Sequence, residues 1–212
     1  MISPELLASV PDPESVRHYL GSLRQQFPSA FERIVQSPSA LRIAIHLFSY
    51  SRFLSDSVLR EPERILQVSN SRSFDRVLSV EDYREKLYVF LGTDVPSAVD
   101  FARFRRRHIL RILLRDVLGA ASLSDVTEEL SNLADAILDV AYRHIRAELV
   151  ARHGEPRLDD GALCGFSVIS LGKLGGKELN YSSDIDLMFV HGGAGETDGP
   201  GVLTNKEFYK KV

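Results

Sequence analysis

The sequence predicts a mainly α-helical chain that passes, towards its C-terminal end, into the start of an α/β part. Three observations predict it. Pro11, Pro13, Pro28, Pro38 and Pro62 cut the first third into short segments with helical apolar spacing. Val126, Leu130, Leu133, Ile137, Val140, Ala141 and Ile145 recur at three- and four-residue spacing, the period of one helix face. Beyond Gly154–Glu155–Pro156 the composition changes, and two short apolar runs flank a glycine-rich stretch, as strands flank a turn.

In chain order, helices are expected at about 13–26, 29–36, 38–49, 50–59 and 61–69, punctuated by those prolines. Ser69–Asn70–Ser71–Arg72–Ser73 reads as a loop. A helix from about 80 to 91 stops at Gly92, and Pro96 suits the first turn of a long helix running to about Gly119. Ser122–Leu123–Ser124–Asp125 has capping-box spacing and opens a helix that continues to about His153. The domain boundary is therefore set at 153/154, with a helical region over 1–153 and an α/β start over 154–212. Strands are expected near 164–171 and 184–191. The loop Gly192–Gly201 is expected to be mobile. Thr204–Asn205–Lys206–Glu207 opens a last helix, so the α/β part reads as incomplete, cut inside a helix at Val212.

Composition bounds the function. An apolar share of 44% over 212 residues is enough for a core, and no apolar run approaches the roughly 20 residues of a membrane span. A net charge of −3 offers no general attraction to nucleic acid or anionic lipid. The single Cys164 allows no intrachain disulfide, and the N-terminus has no basic start followed by an apolar block. A cytoplasmic protein is expected, with neither membrane nor nucleic acid as partner.

The chemistry gathers in residues 171–189. Asp184 and Asp186 stand two apart in an apolar run. On a strand, i and i+2 face one side, so both carboxylates would project together as hard oxygen donors for Mg²⁺. Gly172, Gly175 and Gly176 follow the first strand directly and let backbone N–H groups approach phosphate. Strand, glycine turn and a second strand bearing carboxylates suggest metal-assisted phosphoryl or nucleotidyl transfer. Each residue has a plainer alternative. A D-x-D on a half-exposed strand is ordinary polar alternation. Gly175–Gly176 serves equally as a tight turn with positive φ. Ser183 either caps the turn or touches phosphate. Lys173 and Lys177 either pair with phosphate oxygens or are solvated. Arg103, Arg107, Arg111 and Arg115 repeat every four residues, with Arg105 and Arg106 between them. They read as salt-bridging and solvated rather than as a dock for an acidic partner. His108, His144 and His191 have no metal-ligand spacing, Tyr181 reads as packing, and Cys164 lacks an evident base.

The block LGKLGGKELNYSSDIDLMF resembles the nucleotidyltransferase motif of the glutamate-ammonia-ligase adenylyltransferase family, which modifies glutamine synthetase. FRRRHILRILLRDVLGAASLSDVTEELSNLADAILDVAYRHI and SRFLSDSVLREPERI are similar to the same family, so the resemblance covers about residues 40–212. It implies a nucleotidyltransferase (polymerase-beta-like) domain after the helical region. It further implies Asp184 and Asp186 as metal-binding catalytic carboxylates, for two Mg²⁺ ions. Gly172, Lys173, Gly175, Gly176 and Ser183 would lie along the phosphates of the nucleotide. Where the wider superfamily usually has Gly or Ser after the first glycine, Lys173 stands here. The superfamily's third carboxylate is expected beyond Val212. Members carry two such domains: an N-terminal one that removes AMP from a glutamine synthetase tyrosine by phosphorolysis, releasing ADP, and a C-terminal one that attaches AMP from ATP. Asn180–Tyr181–Ser182–Ser183 before Asp184 resembles the N-terminal, deadenylylating copy. The resemblance implies glutamine synthetase, the PII signal protein and the C-terminal adenylyltransferase domain as partners, in nitrogen metabolism. Alternatives are adenylyl transfer from ATP and, for residues 1–212 alone, a non-catalytic helical docking fragment. Polymerases and antibiotic-modifying enzymes share the D-x-D logic but not the preceding helices.

Overall fold

The computed structural model describes residues 10–69, 76–93 and 95–212, save the side chain of Phe53. The expected loop at 69–73 falls largely outside them. The order is α1 (Pro13–Gln26), α2 (Pro28–Gln36), α3 (Pro38–Tyr50), α4 (Arg52–Arg60), α5 (Glu63–Ser69), α6 (Val80–Leu91), α7 (Ala98–Val117) and α8 (Leu123–His153). Then follow β1 (Phe166–Leu171), α9 (Gly172–Gly175), β2 (Asp186–His191) and α10 (Asn205–Lys211). The fold is mainly α with a small two-stranded antiparallel sheet. Among the described residues no helix is long and apolar enough to cross a membrane.

The helices begin where short polar side chains reach their free N–H groups. Asp12 accepts from the Ser15 N–H, Ser37 from Ala40 and Ser51 from Leu54. Ser79 with Asp82 and Thr204 with Glu207 form full capping boxes. Asp125 accepts from the Ser122 N–H while the Asp125 N–H reaches Ser122 Oγ, as its spacing predicts. Two expected starts move for the same reason. The fourth helix begins at Arg52 because Ser51 is its cap. The long helix begins at Ala98, since Ser97 caps it by exchange with Asp100; Pro96 lies outside the first turn.

The chain divides into two compact units, Met1–Val77 with Arg106–Val126 and Leu78–Arg105 with Thr127–Val212. The compositional break at Gly154 coincides with the end of α8, whose residues from Thr127 group with the sheet. In the first unit, Val16, Leu23, Ile34, Ala44, Phe48, Val58 and Ile65 pack with Leu110 and Leu114 of α7. Tyr19 stacks on Phe48 at 5.3 Å and donates to Asp56. The arginine stripe is split by burial. Arg103 and Arg107 are exposed, whereas Arg111 and Arg115 are buried, Arg111 donating to the Arg76 carbonyl at 2.7 Å.

In the second unit, α8 holds the segment before α6. The fully buried Glu129 accepts from the Leu78 N–H and the Tyr83 hydroxyl, and Asn132 Nδ2 donates to the Leu78 carbonyl. Buried carboxylates persist only with such donors. The sheet rests on α8 and α10 through Phe166, which stacks on Tyr142 at 5.3 Å and on Tyr209 at 4.5 Å. Tyr209 donates to the Cys164 carbonyl, and Phe208 is fully buried beside Leu149 and Cys164.

The glycine-rich loop after β2 is tied down, contrary to the expected mobility. Arg157 N–H donates to the Glu196 carbonyl, Asp198 N–H to Glu155 and Gly199 N–H to His153, while Asp198 accepts from Arg157 and the Glu155 N–H. The glycines are there for contact: a Cβ on Gly195 would sit 2.0 Å from the Arg157 carbonyl oxygen.

Candidate functional site

The strands pair in the register Phe166↔His191 to Leu171↔Asp186. The last rung sets the geometry. Leu171 ends β1 and Gly172 follows at once, so the glycine turn leaves the sheet beside Asp186. A Cβ on Gly172 would lie 3.3 Å from Asp186 Oδ2, and Gly172 has a φ of +54°. The φ favours glycine, because a side-chain-bearing residue pays about 1–2 kcal/mol for left-handed backbone, and the close approach to the Asp186 side-chain tip adds a smaller constraint.

The turn itself is one helical turn, α9. Gly176 N–H donates to the Gly172 carbonyl at 3.0 Å, Lys177 N–H to Leu174 and Glu178 N–H to Lys173. Gly175 and Gly176 do not have the positive φ expected of a tight turn; positive φ falls at Gly172 and at Lys177 (+59°), the non-glycine residue with that conformation among those described. Gly175 is required for another reason. Its Cβ would come within 2.4 Å of the Ser170 carbonyl oxygen.

Asp186 opens β2 and is exposed. Asp184, also exposed, stands two residues before the ladder, not on it. β1 has no residue past Leu171 to pair with it. The shared-face argument from strand geometry therefore applies to Asp186 onward and does not by itself orient Asp184. The structure brings Lys173 and Ser183 together: Lys173 Nζ donates to Ser183 Oγ at 3.4 Å. Ser183 donates in turn to Asn180 Oδ1 at 2.6 Å, and the Ser182 N–H bonds the same oxygen. Asn180 thus organises the approach to Asp184. Its signal was present in the sequence, an Asn two residues before a serine in a turn. Lys177 is turned away from the others. Its ammonium pairs with Asp135 Oδ2 at 2.5 Å and Asn132 Oδ1 at 3.1 Å, both on α8.

The donor set suits a hard cation. Mg²⁺ keeps several waters and is bound through one or two carboxylates plus substrate phosphates; the exposed Asp186 carboxylate beside Gly172, with the exposed Asp184 two residues before it, is of that kind. Among the described residues no group of three or more His, Cys, Asp and Glu is placed to hold a metal.

A family model described as glutamate-ammonia ligase adenylyltransferase matches residues 41–212. Among curated proteins, the bifunctional glutamine synthetase adenylyltransferase/adenylyl-removing enzyme of Thioalkalivibrio sulfidiphilus is 33% identical over 207 residues, 94% of this chain and 21% of its own length. The protein of that name from Pseudomonas putida is 33% identical over 188 residues, 84% of this chain and 19% of its own. That from Bordetella pertussis is 44% identical over 129 residues, 57% and 14%. The chain thus spans about a fifth of the length of the first two relatives. With a family match that takes in α4 to α8 as well as the turn from Gly172 to Asp186, the chain belongs to the glutamate-ammonia ligase adenylyltransferase family.

Proposed function

We propose that these residues form the N-terminal part of a nucleotidyltransferase that removes AMP from a tyrosine of glutamine synthetase by metal-dependent phosphorolysis, releasing ADP and so regulating nitrogen assimilation. The observation that carries the proposal is the approach of Gly172 to the Asp186 carboxylate across the last rung of the sheet. It sets a corner without a Cβ beside a hard oxygen donor. The relatives' names cover both adenylyl transfer and adenylyl removal; Asn180–Ser183 ahead of Asp184, which resembles the deadenylylating copy, supports the direction.

In this reading Asp184 and Asp186 hold Mg²⁺, two ions when fully loaded. Bound there, the metal neutralises charge on the phosphoryl oxygens. The first N–H groups of a helical turn have no partner within it, so those of Gly172, Lys173 and Leu174 face the nucleotide phosphates. Lys173, steadied by Ser183, adds a positive charge. Inorganic phosphate attacks the AMP phosphorus in line; the new P–O bond makes ADP, and the bond to the tyrosine oxygen breaks. Tyrosine leaves readily, its hydroxyl having a pKa of about 10, so positioning and charge neutralisation suffice. Glutamine synthetase is the macromolecular substrate. The PII signal protein and a C-terminal adenylyltransferase domain are its companions, and the cytoplasm is the setting. A second reading, AMP transfer from ATP to glutamine synthetase, uses the same residues, and the relatives' names include it.

The test is ADP release from adenylylated glutamine synthetase with phosphate and Mg²⁺, using the protein as its source organism makes it. Asp184→Asn and Asp186→Asn should each lower the rate about 10²-fold or more, with unchanged melting because both side chains are exposed. Residues 1–212 alone are expected to form little or no ADP. Undiminished ADP release in both variants would sink the proposal. AMP transfer from ATP without ADP release would select the second reading, and folded protein silent in both directions would leave a docking module.

A further inference from the structure

Lys177 belongs to the glycine-rich block, yet its side chain serves a different end from its neighbours. It holds a φ of +59° while its ammonium reaches α8, 42 residues away in sequence at Asp135. The contact is part of a set. Leu179 N–H donates to Ser131 Oγ at 3.3 Å, and the Ser131 hydroxyl is already directed at the Thr127 carbonyl, which leaves its oxygen free to accept. Asn132 donates through Nδ2 to the Leu78 carbonyl, so its Oδ1 faces Lys177. Ser131 and Asn132 are buried. Three residues within five on α8 therefore grip the backbone and side chain at 177–179. That segment closes the turn opened by Gly172, through Lys177 N–H to Leu174 and Glu178 N–H to Lys173.

We propose that Lys177 is a positioning residue: through Asp135 and Asn132 it clamps the exit of the glycine turn to α8 and so fixes Gly172 and Lys173 relative to Asp186. It does not touch substrate. The clamp rests on the nucleotidyl-transfer reading only for its consequence in catalysis; its effect on the turn stands without it. An exposed ion pair contributes little to global stability, so its effect belongs in the local order of residues 172–180.

The experiment is a double-mutant cycle of Lys177→Met and Asp135→Asn, with Lys177→Arg as the conservative variant. Amide hydrogen exchange is read in this chain without metal or nucleotide. Kinetics are read in the protein as its source organism makes it. Each single variant should speed exchange over 176–179 by about threefold to tenfold, the double variant no further, and Lys177→Arg should stay within about twofold of wild type. In the ADP-forming assay both singles should lower kcat by a similar factor and leave the phosphate KM within about twofold. Asp135→Asn is the arm least prone to misfolding, because it changes one partly exposed carboxylate on a helix.

Unchanged exchange in both singles overturns the proposal. So does a raised phosphate KM in Lys177→Met with Asp135→Asn at wild-type kinetics, since that is the mark of a direct phosphate ligand. If wild type forms no ADP, the functional reading fails while the exchange cycle still decides the clamp.

Discussion

Gly175 and Gly176 are adjacent, and substituting them should have opposite consequences. A Cβ on Gly175 would lie 2.4 Å from the Ser170 carbonyl oxygen, whereas on Gly176 the nearest atom is the Gly172 carbonyl oxygen at 3.6 Å. The Ser170 carbonyl belongs to the backbone of β1 and cannot swing aside as a side-chain tip would. Ordinary contact begins at 3.4 Å, so Gly175→Ala forces a displacement of 3.4 − 2.4, or 1.0 Å, between the turn and the strand. Overpacking of that kind costs about 1–3 kcal/mol, offset by at most about 1 kcal/mol of helix propensity gained over glycine. The net expectation is about 1–2 kcal/mol of destabilisation. Gly176, with φ −82° and ψ −1°, already has a backbone that alanine adopts; its substitution should be neutral or stabilising by up to about 1 kcal/mol. The chain has no tryptophan, so urea unfolding is followed by far-ultraviolet circular dichroism and tyrosine emission. With a slope near 2 kcal/mol per molar, the Gly175→Ala midpoint should fall by about 0.5–1 M. Equal midpoints for the two variants, or a lower one for Gly176→Ala, would refute the reasoning.

Two further predictions concern the acid limb and the sheet. The carboxyls of Asp125, Asp198 and Glu207 are held below the usual carboxylate range, chiefly by the hydrogen bonds from the Ser122 N–H, the Arg157 side chain and the Thr204 hydroxyl respectively. Because the folded values are depressed, the unfolded chain takes up protons first as pH falls. Their stabilisation is fully present above the ordinary values of 3.8 and 4.5 and is lost as pH drops through the folded ones. Urea midpoints should therefore decline below about pH 4.5, and Thr204→Ala should flatten that decline; a midpoint independent of pH between 5 and about 3 would contradict the assignment. On the sheet, Ile169, Leu171, Met188 and Val190 are 44%, 40%, 46% and 43% exposed and share one face of the two-stranded ladder. Native protein should bind a hydrophobic dye and associate with rising concentration, and Met188→Thr, which keeps a strand-forming residue, should weaken both. A monomer that leaves the dye dark would show the surface to be inert.

How far the sequence reaches depends on the range of the interaction. Helix starts are legible because a cap acts over three residues: Asp12, Ser37, Ser79, Ser122 and Thr204 all stand where their helices begin. Two of the starts that moved, those of α4 and α7, did so by the same local rule, applied at Ser51 and Ser97. The strands were legible in kind but not in extent. β2 cannot begin at Asp184, because its ladder needs a partner and β1 stops at Leu171 where the turn departs. Burial on one helix face was not legible either: a four-residue arginine repeat looks uniform in sequence, yet Arg111 and Arg115 are inside and Arg103 is out.

The glycines show most sharply where local reasoning ends. Composition cannot separate a glycine chosen for φ from one chosen for contact. Gly172 is the former and also clears Asp186. Gly175 makes room for the Ser170 carbonyl, and Gly195 and Gly199 let a loop lie against residues 153–157. What reads as a flexible, glycine-rich stretch is in those cases backbone packed on backbone, with the missing Cβ as the condition for contact. Lys177 is the complementary case. Its left-handed φ suits a glycine, but the side chain it carries spans to Asp135, so the conformational cost of about 1–2 kcal/mol accompanies a link between the turn and α8. The candidate site therefore depends on two kinds of position: those that lack a side chain so that the turn can leave β1 and pack on it, and one that keeps a side chain where glycine would be easier. Only the first kind stands out in a glycine-rich sequence; the second emerges once its partner is known.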